Sequence, residues 1–166
     1  MTQMQADAPT LPSAITDLLD GVDPGKHVGF TIQLVTADPQ GWPRVALLSA
    51  GEVVAVDPMR LRIALWPESH TTENLARVGQ ATLTFVFDNA AYSVRLRVCR
   101  GEDISAPIHL AVFDGRVVEV RRDVASYAVL ESGISFRLVD ESSVVDRWRT
   151  TTEELVRHPG CEPGGD

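Results

Sequence analysis

From Val28 onward the chain alternates: Val28, Phe30, Ile32 and Leu34 are apolar, and Gly29, Thr31 and Gln33 between them are not, which is the two-residue period of a half-buried strand. Asp38-Pro39-Gln40-Gly41 supplies a turn. Pro43 to Ser49 reads as a second strand, Glu52 to Val56 as a third, and Asp57-Pro58 leads into a fourth through Leu61, Ile63 and Leu65. The alternation breaks between Ser69 and Val78, where Leu75 and Val78 lie to one side of Asn74 and Arg77, and this predicts a helix of two to three turns closed by Gly79. It then resumes: Leu83, Phe85 and Phe87, and after Asp88-Asn89 Tyr92, Val94, Leu96 and Val98, form the clearest hairpin in the chain.

Ile108 to Arg121 is strand-like, and Asp114-Gly115 is either a hairpin turn or a bulge, with one long bulged strand the favoured reading. The spacing predicts a helix around Val124 to Glu131, a last strand at Ile134, Phe136 and Leu138, and a terminal amphipathic helix carrying Val144, Val145, Trp148, Thr152 and Leu155. Ahead of the strands, Pro12 followed by Ile15, Leu18 and Leu19 predicts a short helix that lids the barrel. Many short strands with short turns and one inserted helix favour a mainly β, antiparallel, Greek-key-like barrel of six to eight strands with peripheral helices, because closure removes exposed sheet edges. Helices do not separate successive strands, which argues against a parallel sheet. The chain divides into a flexible leader at 1–10, a single domain at 11–157 and a Pro/Gly-rich flexible tail at 158–166.

Charge narrows the possible partners. The net charge is −8, the pI is near 4.9, Lys26 is the single lysine and the arginines are dispersed, so nucleic acid is not the expected ligand. The pairs Arg95/Arg97 and Arg60/Arg62 keep a two-residue period and read as the wet faces of strands. No apolar run reaches the length of a membrane span and the first ten residues hold no apolar signal core, so the expectation is a cytoplasmic protein without membrane association. Cys99 and Cys161 match neither a metal-ligand spacing nor a disulfide framework and read as two free thiols.

Catalytic signatures such as G-x-S-x-G, a P-loop, G-x-G-x-x-G and H-E-x-x-H are absent, and His27, His70, His109 and His158 stand far apart, so no metal is expected. One segment suits an anion. Trp66-Pro67-Glu68-Ser69-His70-Thr71-Thr72-Glu73-Asn74-Leu75 leaves a strand and enters a helix with three hydroxyls at its start, where free N–H groups and the helix dipole favour a phosphate; the plainer alternative is that Ser69 or Thr71 caps the helix. On the strand Gly41-Trp42-Pro43-Arg44-Val45-Ala46-Leu47-Leu48-Ser49, Arg44 is either a bidentate contact for a phosphate or flavin carbonyl, or a solvated edge charge.

The order G-x-P-x-x-x-L-L-S, a Gly51-Glu52 turn, a strand, S-x-T-x-x-N-L and the strand A-T-L-T-F-V-F resembles the FMN-binding split barrels of the pyridoxamine 5′-phosphate oxidase-like family. The stretches 118–123, Tyr127-Ala128 and 132–136 are similar to its small members, and the resemblance covers most of residues 25–150. It implies that Arg44, Ala46, Leu47 and Ser49 line the flavin ring or ribityl chain, and that Trp66, Ser69, His70, Thr71 and Asn74 surround the phosphate. It implies a homodimer with FMN sites at the interface and a flavin-dependent oxidoreductase, passing electrons from a reduced nicotinamide to a small-molecule acceptor with no assigned catalytic side chain. The alternatives are a non-catalytic protein that stores or senses FMN, a deazaflavin or haem, the last needing an axial ligand such as His109 or His27, and an empty barrel serving as an interaction module. His70-Thr71 stands where the vitamin-processing oxidases carry a basic pair, Ser49 stands where they carry lysine, and their arginine-rich C-terminal signature is absent, which argues against pyridoxamine phosphate as the substrate.

Overall fold

The computed structural model describes the backbone of Thr2–Met4 and residues 9–164. The elements in chain order are β1 (Thr2–Met4), α1 (Ser13–Leu18), a 3₁₀ turn at Pro24–His27, β2 (Thr31–Ala37), β3 (Pro43–Ser49), β4 (Val53–Asp57), β5 (Arg60–Leu65), α2 (His70–Val78), β6 (Gln80–Phe87), β7 (Ala90–Arg100), β8 (Ala111–Ala125) and α3 (Glu141–Arg157). All pairings between strands are antiparallel, in the order β3-β2-β6-β7-β8-β5-β4, with β1 alongside β8. This is the expected mainly β split barrel: the sheet curls about one core, and its two edges, β3 and β4, are consecutive in the chain and joined by the turn at Ser49–Glu52.

Alternation along the strands decides which side chains turn inward. Ile32, Leu34, Leu83, Val94, Leu61, Ile63 and Phe113 are almost wholly buried in the barrel, and Ile15 and Leu19 of the α1 segment close one end of it as the lid expected from the sequence. The outer face divides into two halves. Over β4, β5 and β8, Leu155 of α3 packs in a second cluster with Val54, Ala64 and Val112. Over β3 the outer side is open at Val45 and Leu47, which are more than half exposed.

Four local expectations are corrected. The helix at Val124–Glu131 does not form, because Asp123 still pairs with Ala91 and β8 continues to Ala125 beside β1. Residues 134–138 form no strand; Phe136 sets its ring edge-on to Trp148 at 6.3 Å and so serves packing rather than a ladder, while Ile134 is exposed. β8 is one long strand, but Asp114-Gly115 stays in register with Arg62 and Leu61, and the bulge falls where Arg95 and Leu96 face Glu119 and Val117. Arg62 is not on a wet face: it is 4% exposed beneath α3.

The two ends of the chain also differ from expectation. Of the expected loose leader, residues 1 and 5–8 lie outside the described residues, while Thr2–Met4 pairs with β8. The tail is docked as far as it is described, with His158 buried and its ring nitrogen Nε2 2.8 Å from the Glu102 carbonyl. Cys99 and Cys161 are not free thiols but a disulfide with Cα atoms 6.2 Å apart. Their separation of 62 residues left no spacing signature for a sequence reading to use.

Candidate functional site

The α2 entrance is built by its own hydroxyls. Ser69 is the N-cap: its Oγ accepts the Thr72 N–H (3.1 Å) and donates to Thr72 Oγ1 (3.0 Å), which in turn donates to the Trp66 carbonyl (2.7 Å). The Ser69 carbonyl accepts the Glu73 N–H. The capping alternative is therefore realised, and the hydroxyls of Ser69 and Thr72 are engaged within the corner. The N–H groups of His70 and Thr71 belong to the first turn, which has no intrahelical acceptors for them. Thr71 is buried, while His70 is exposed with Nδ1 3.2 Å from a Glu73 carboxylate oxygen.

One turn on, α2 meets the sheet. Asn74, 3% exposed, donates through Nδ2 to Thr36 Oγ1 at 3.1 Å and accepts at Oδ1 from Arg77 Nη2 at 3.0 Å; the same Arg77 nitrogen reaches the Ala37 carbonyl. Thr36 is the cross-strand partner of Arg44. Arg44 is exposed, and among the described residues it has no hydrogen bond or ion pair. The fold thus gathers Arg44, Thr36, Asn74 and Arg77 at one mouth of the barrel. Thr36 and Arg77 were not singled out from the sequence, although the i, i+3 spacing of Asn74 and Arg77 and a hairpin symmetric about Asp38–Gly41 were available signals.

The remaining expected residues fall elsewhere. Arg44, Ala46 and Leu48 share the inward parity of β3, whereas Val45 and Leu47 point out, so Arg44 and Leu47 occupy opposite faces of one edge strand. Trp66 (62% exposed) and Trp42 (72% exposed) are solvent-facing near the two ends of this region. Ser49 is not available: its hydroxyl and its N–H both donate to Glu52 Oε2, at 2.8 and 2.6 Å. Burial pushes the Glu52 carboxyl above its ordinary value, against the lowering effect of the Ser49 hydrogen bonds and of Arg147. The turn is a structural device that anchors the end of β3.

On the open outer face, a groove of about 470 Å³ runs between Pro43 of β3, Val35 of β2, Thr82 of β6, Arg95 of β7 and Val118 of β8. None of the nine expected ligand residues lines it. Arg95 is paired there with Glu119 at 2.8 Å. Away from this region, burial raises the Asp103 carboxyl less than hydrogen bonds from Arg100 and His109 lower it, so the group sits below the usual carboxylate range. Among the described residues no cluster of three or more His, Cys, Asp or Glu could hold a metal ion, and no helix is long and apolar enough to cross a membrane.

No known family profile matches the sequence. The chain is 38% identical over 144 residues to the uncharacterized protein YclD of Bacillus subtilis (strain 168), covering 85% of this chain and 92% of that protein. A candidate pyridoxamine 5′-phosphate oxidase of Lactobacillus delbrueckii, known from its crystal structure, superposes with a TM-score of 0.55 at 19% identity, over 70% of this chain and 98% of that one. HupZ of Group A Streptococcus superposes at 0.52 with 13% identity, over 76% and 99%. At those identities the two structures speak for the fold.

Proposed function

Because the chain belongs to the family of Bacillus subtilis YclD and has the pyridoxamine 5′-phosphate oxidase-like split-barrel fold, we propose that it binds FMN along the free edge of β3 and works as an oxidoreductase. In this reading electrons pass from a reduced nicotinamide through the flavin to a small acceptor. The observation that carries it is Arg44: an exposed guanidinium with no hydrogen bond or ion pair among the described residues, opposite Thr36 in the β2–β3 ladder and so next to the Thr36–Asn74–Arg77 network. An anion placed there meets an unneutralised guanidinium beside the already oriented Asn74 and Arg77 side chains.

Arg44 and Leu47 lie on opposite faces, so a single ligand that touches both has to follow the strand edge, where backbone N–H and C=O groups are unpaired and available to a flavin's carbonyls and ring N–H. The exposed apolar groups Val45, Leu47 and Trp42 offer a surface for the ring and for a second copy of the chain, which would complete the site in a homodimer. Bound flavin supplies the electron transfer; the protein's part is to hold, orient and screen it from water. Haem would need an axial ligand, and at His109 that role would fall to Nδ1, since Nε2 is held 2.8 Å from Asp103.

Flavin-fluorescence titration tests the assignment. Wild-type protein should bind FMN more tightly than riboflavin, and Arg44→Ala should cost FMN about 1.5–3 kcal/mol, roughly 10- to 150-fold, while leaving riboflavin almost unchanged. A protein that does not bind FMN, or one that loses both ligands equally, would overturn it.

A further inference from the structure

The C-terminal residues do work that the β3 site does not require. Asp114, the cross-strand partner of Cys99, is 1% exposed, and its Oδ2 accepts from Arg62 Nε at 2.9 Å. Its other oxygen, Oδ1, is buried with no hydrogen-bond partner among the described residues. Arg62 also donates through Nη1 to the Leu155 carbonyl at 2.8 Å and toward that of Val156 at 3.4 Å, so this buried pair fastens the last turn of α3 to β5.

The chain then folds back over the pair. Gly160 has φ +74°, and a Cβ there would come within 2.4 Å of Asp114 Oδ2 and 2.9 Å of Arg62 Nη2. Bare backbone therefore roofs the two charges, and no side chain fits between. The Gly160 N–H donates to His158 Nδ1 (2.9 Å), and the opposite ring nitrogen meets the Glu102 carbonyl, a combination that suits the neutral ring carrying its proton on Nε2. Residues 158–164 form no regular element. The Cys161–Cys99 bond also holds this strap, beside a wide contact of Glu162 with Arg60 at 3.7 Å and the burial of Pro163.

We infer that the Cys99–Cys161 bond is a redox-operated latch, which when closed clamps the strap over the Arg62–Asp114 pair and when reduced lets the strap lift. A buried ion pair with an orphaned carboxylate oxygen carries a desolvation cost that entering water would relieve. Once the covalent bond is gone, hydration of Asp114 competes with the strap and the Pro/Gly-rich chain regains its freedom. Opening remains local, because β5, β7 and β8 keep their own ladders and the barrel core lies on the other face of the sheet. Neither cysteine is fully buried, and the attacking thiolate is to approach from the strap side. A dithiol reductant attacks one sulfur, the other leaves as a thiolate and takes up a proton, and the second reductant thiol displaces the first protein sulfur; two electrons and two protons pass to the protein, and the reductant leaves as a cyclic disulfide. Exchange with an oxidised dithiol runs the same steps backwards.

Hydrogen–deuterium exchange on the full chain tests the latch, comparing oxidised wild type, wild type in dithiothreitol and Cys161→Ser. The expected result is an increase of about tenfold or more in amide exchange over 155–164, in both the reduced protein and the variant, with β5, β7 and β8 unchanged and the variant indifferent to dithiothreitol. Reduced wild type carries the test by itself if the variant does not fold. Equal exchange in oxidised and reduced protein would overturn the inference, as would two titratable thiols in protein unfolded without reductant, or a loss of protection spread evenly over the barrel.

Discussion

Replacing Gly51 by alanine probes the joint between α3 and the anchored end of β3. Gly51 lies in the Ser49–Glu52 turn, and a Cβ built on it would stand 2.1 Å from Cγ, 2.3 Å from Cδ1 and 2.5 Å from Cδ2 of Trp148. Carbon atoms in contact prefer about 3.5–4.0 Å, so the indole has to withdraw by roughly 1.5 Å. It has little room to do so: Trp148 is 6% exposed, lies mid-helix between the buried Val145 and Thr152, and meets Phe136 edge-on. Overpacking of this kind costs about 1–3 kcal/mol, and loss of the ring contact adds about 0.5–1.5 kcal/mol. The stiffer unfolded chain returns about 0.4–1 kcal/mol. The net is a destabilisation of about 0.5–4 kcal/mol, which for a chain of this length lowers the melting temperature by roughly 1–16 °C. Thermal unfolding followed by near-ultraviolet circular dichroism measures this and reports the tryptophan environment at the same time. A double-mutant cycle with Trp148→Ala sharpens the test, because once the indole is gone the alanine at position 51 should become almost neutral. A Gly51→Ala protein that melts with the wild type, or a cycle without coupling, would refute the packing of α3 on this turn.

Two further changes test the same region. Burial holds Glu52 above its ordinary value of 4.5, so the folded protein binds the proton more tightly than the unfolded chain does. The stability this contributes is full below the unfolded value and is lost as pH rises through the folded one; against Glu52→Gln, the wild type should lose relative stability from about pH 4.5 upward, read by urea unfolding at several pH values, and parallel profiles would contradict the buried turn. Ser69→Ala removes the α2 cap and should cost about 1 kcal/mol of stability, with the preference for FMN over riboflavin unaltered because the Ser69 hydroxyl is already spent on Thr72; a selective loss of FMN would instead make that hydroxyl a phosphate contact.

The sequence by itself determined the elements whose causes are local. The two-residue period of β2 to β7, the Asp88-Asn89 hairpin with both residues at positive φ, and the Ser69-to-Gly79 frame of α2 were legible because backbone geometry and turn chemistry act over a few residues. It also determined the fold class, since many short strands with short connections leave little besides an antiparallel barrel. It misled where an apolar period served tertiary packing, as at Phe136 against Trp148, and where a charge looked solvated, as at Arg62. Only the tertiary structure decided that Arg44 stands beside Asn74 and Thr36, that Ser49 belongs to a turn, and that Cys99 meets Cys161. Those meetings depend on register between strands and on what covers the outer face of the sheet, and these are set by contacts between residues tens of positions apart that no local window contains.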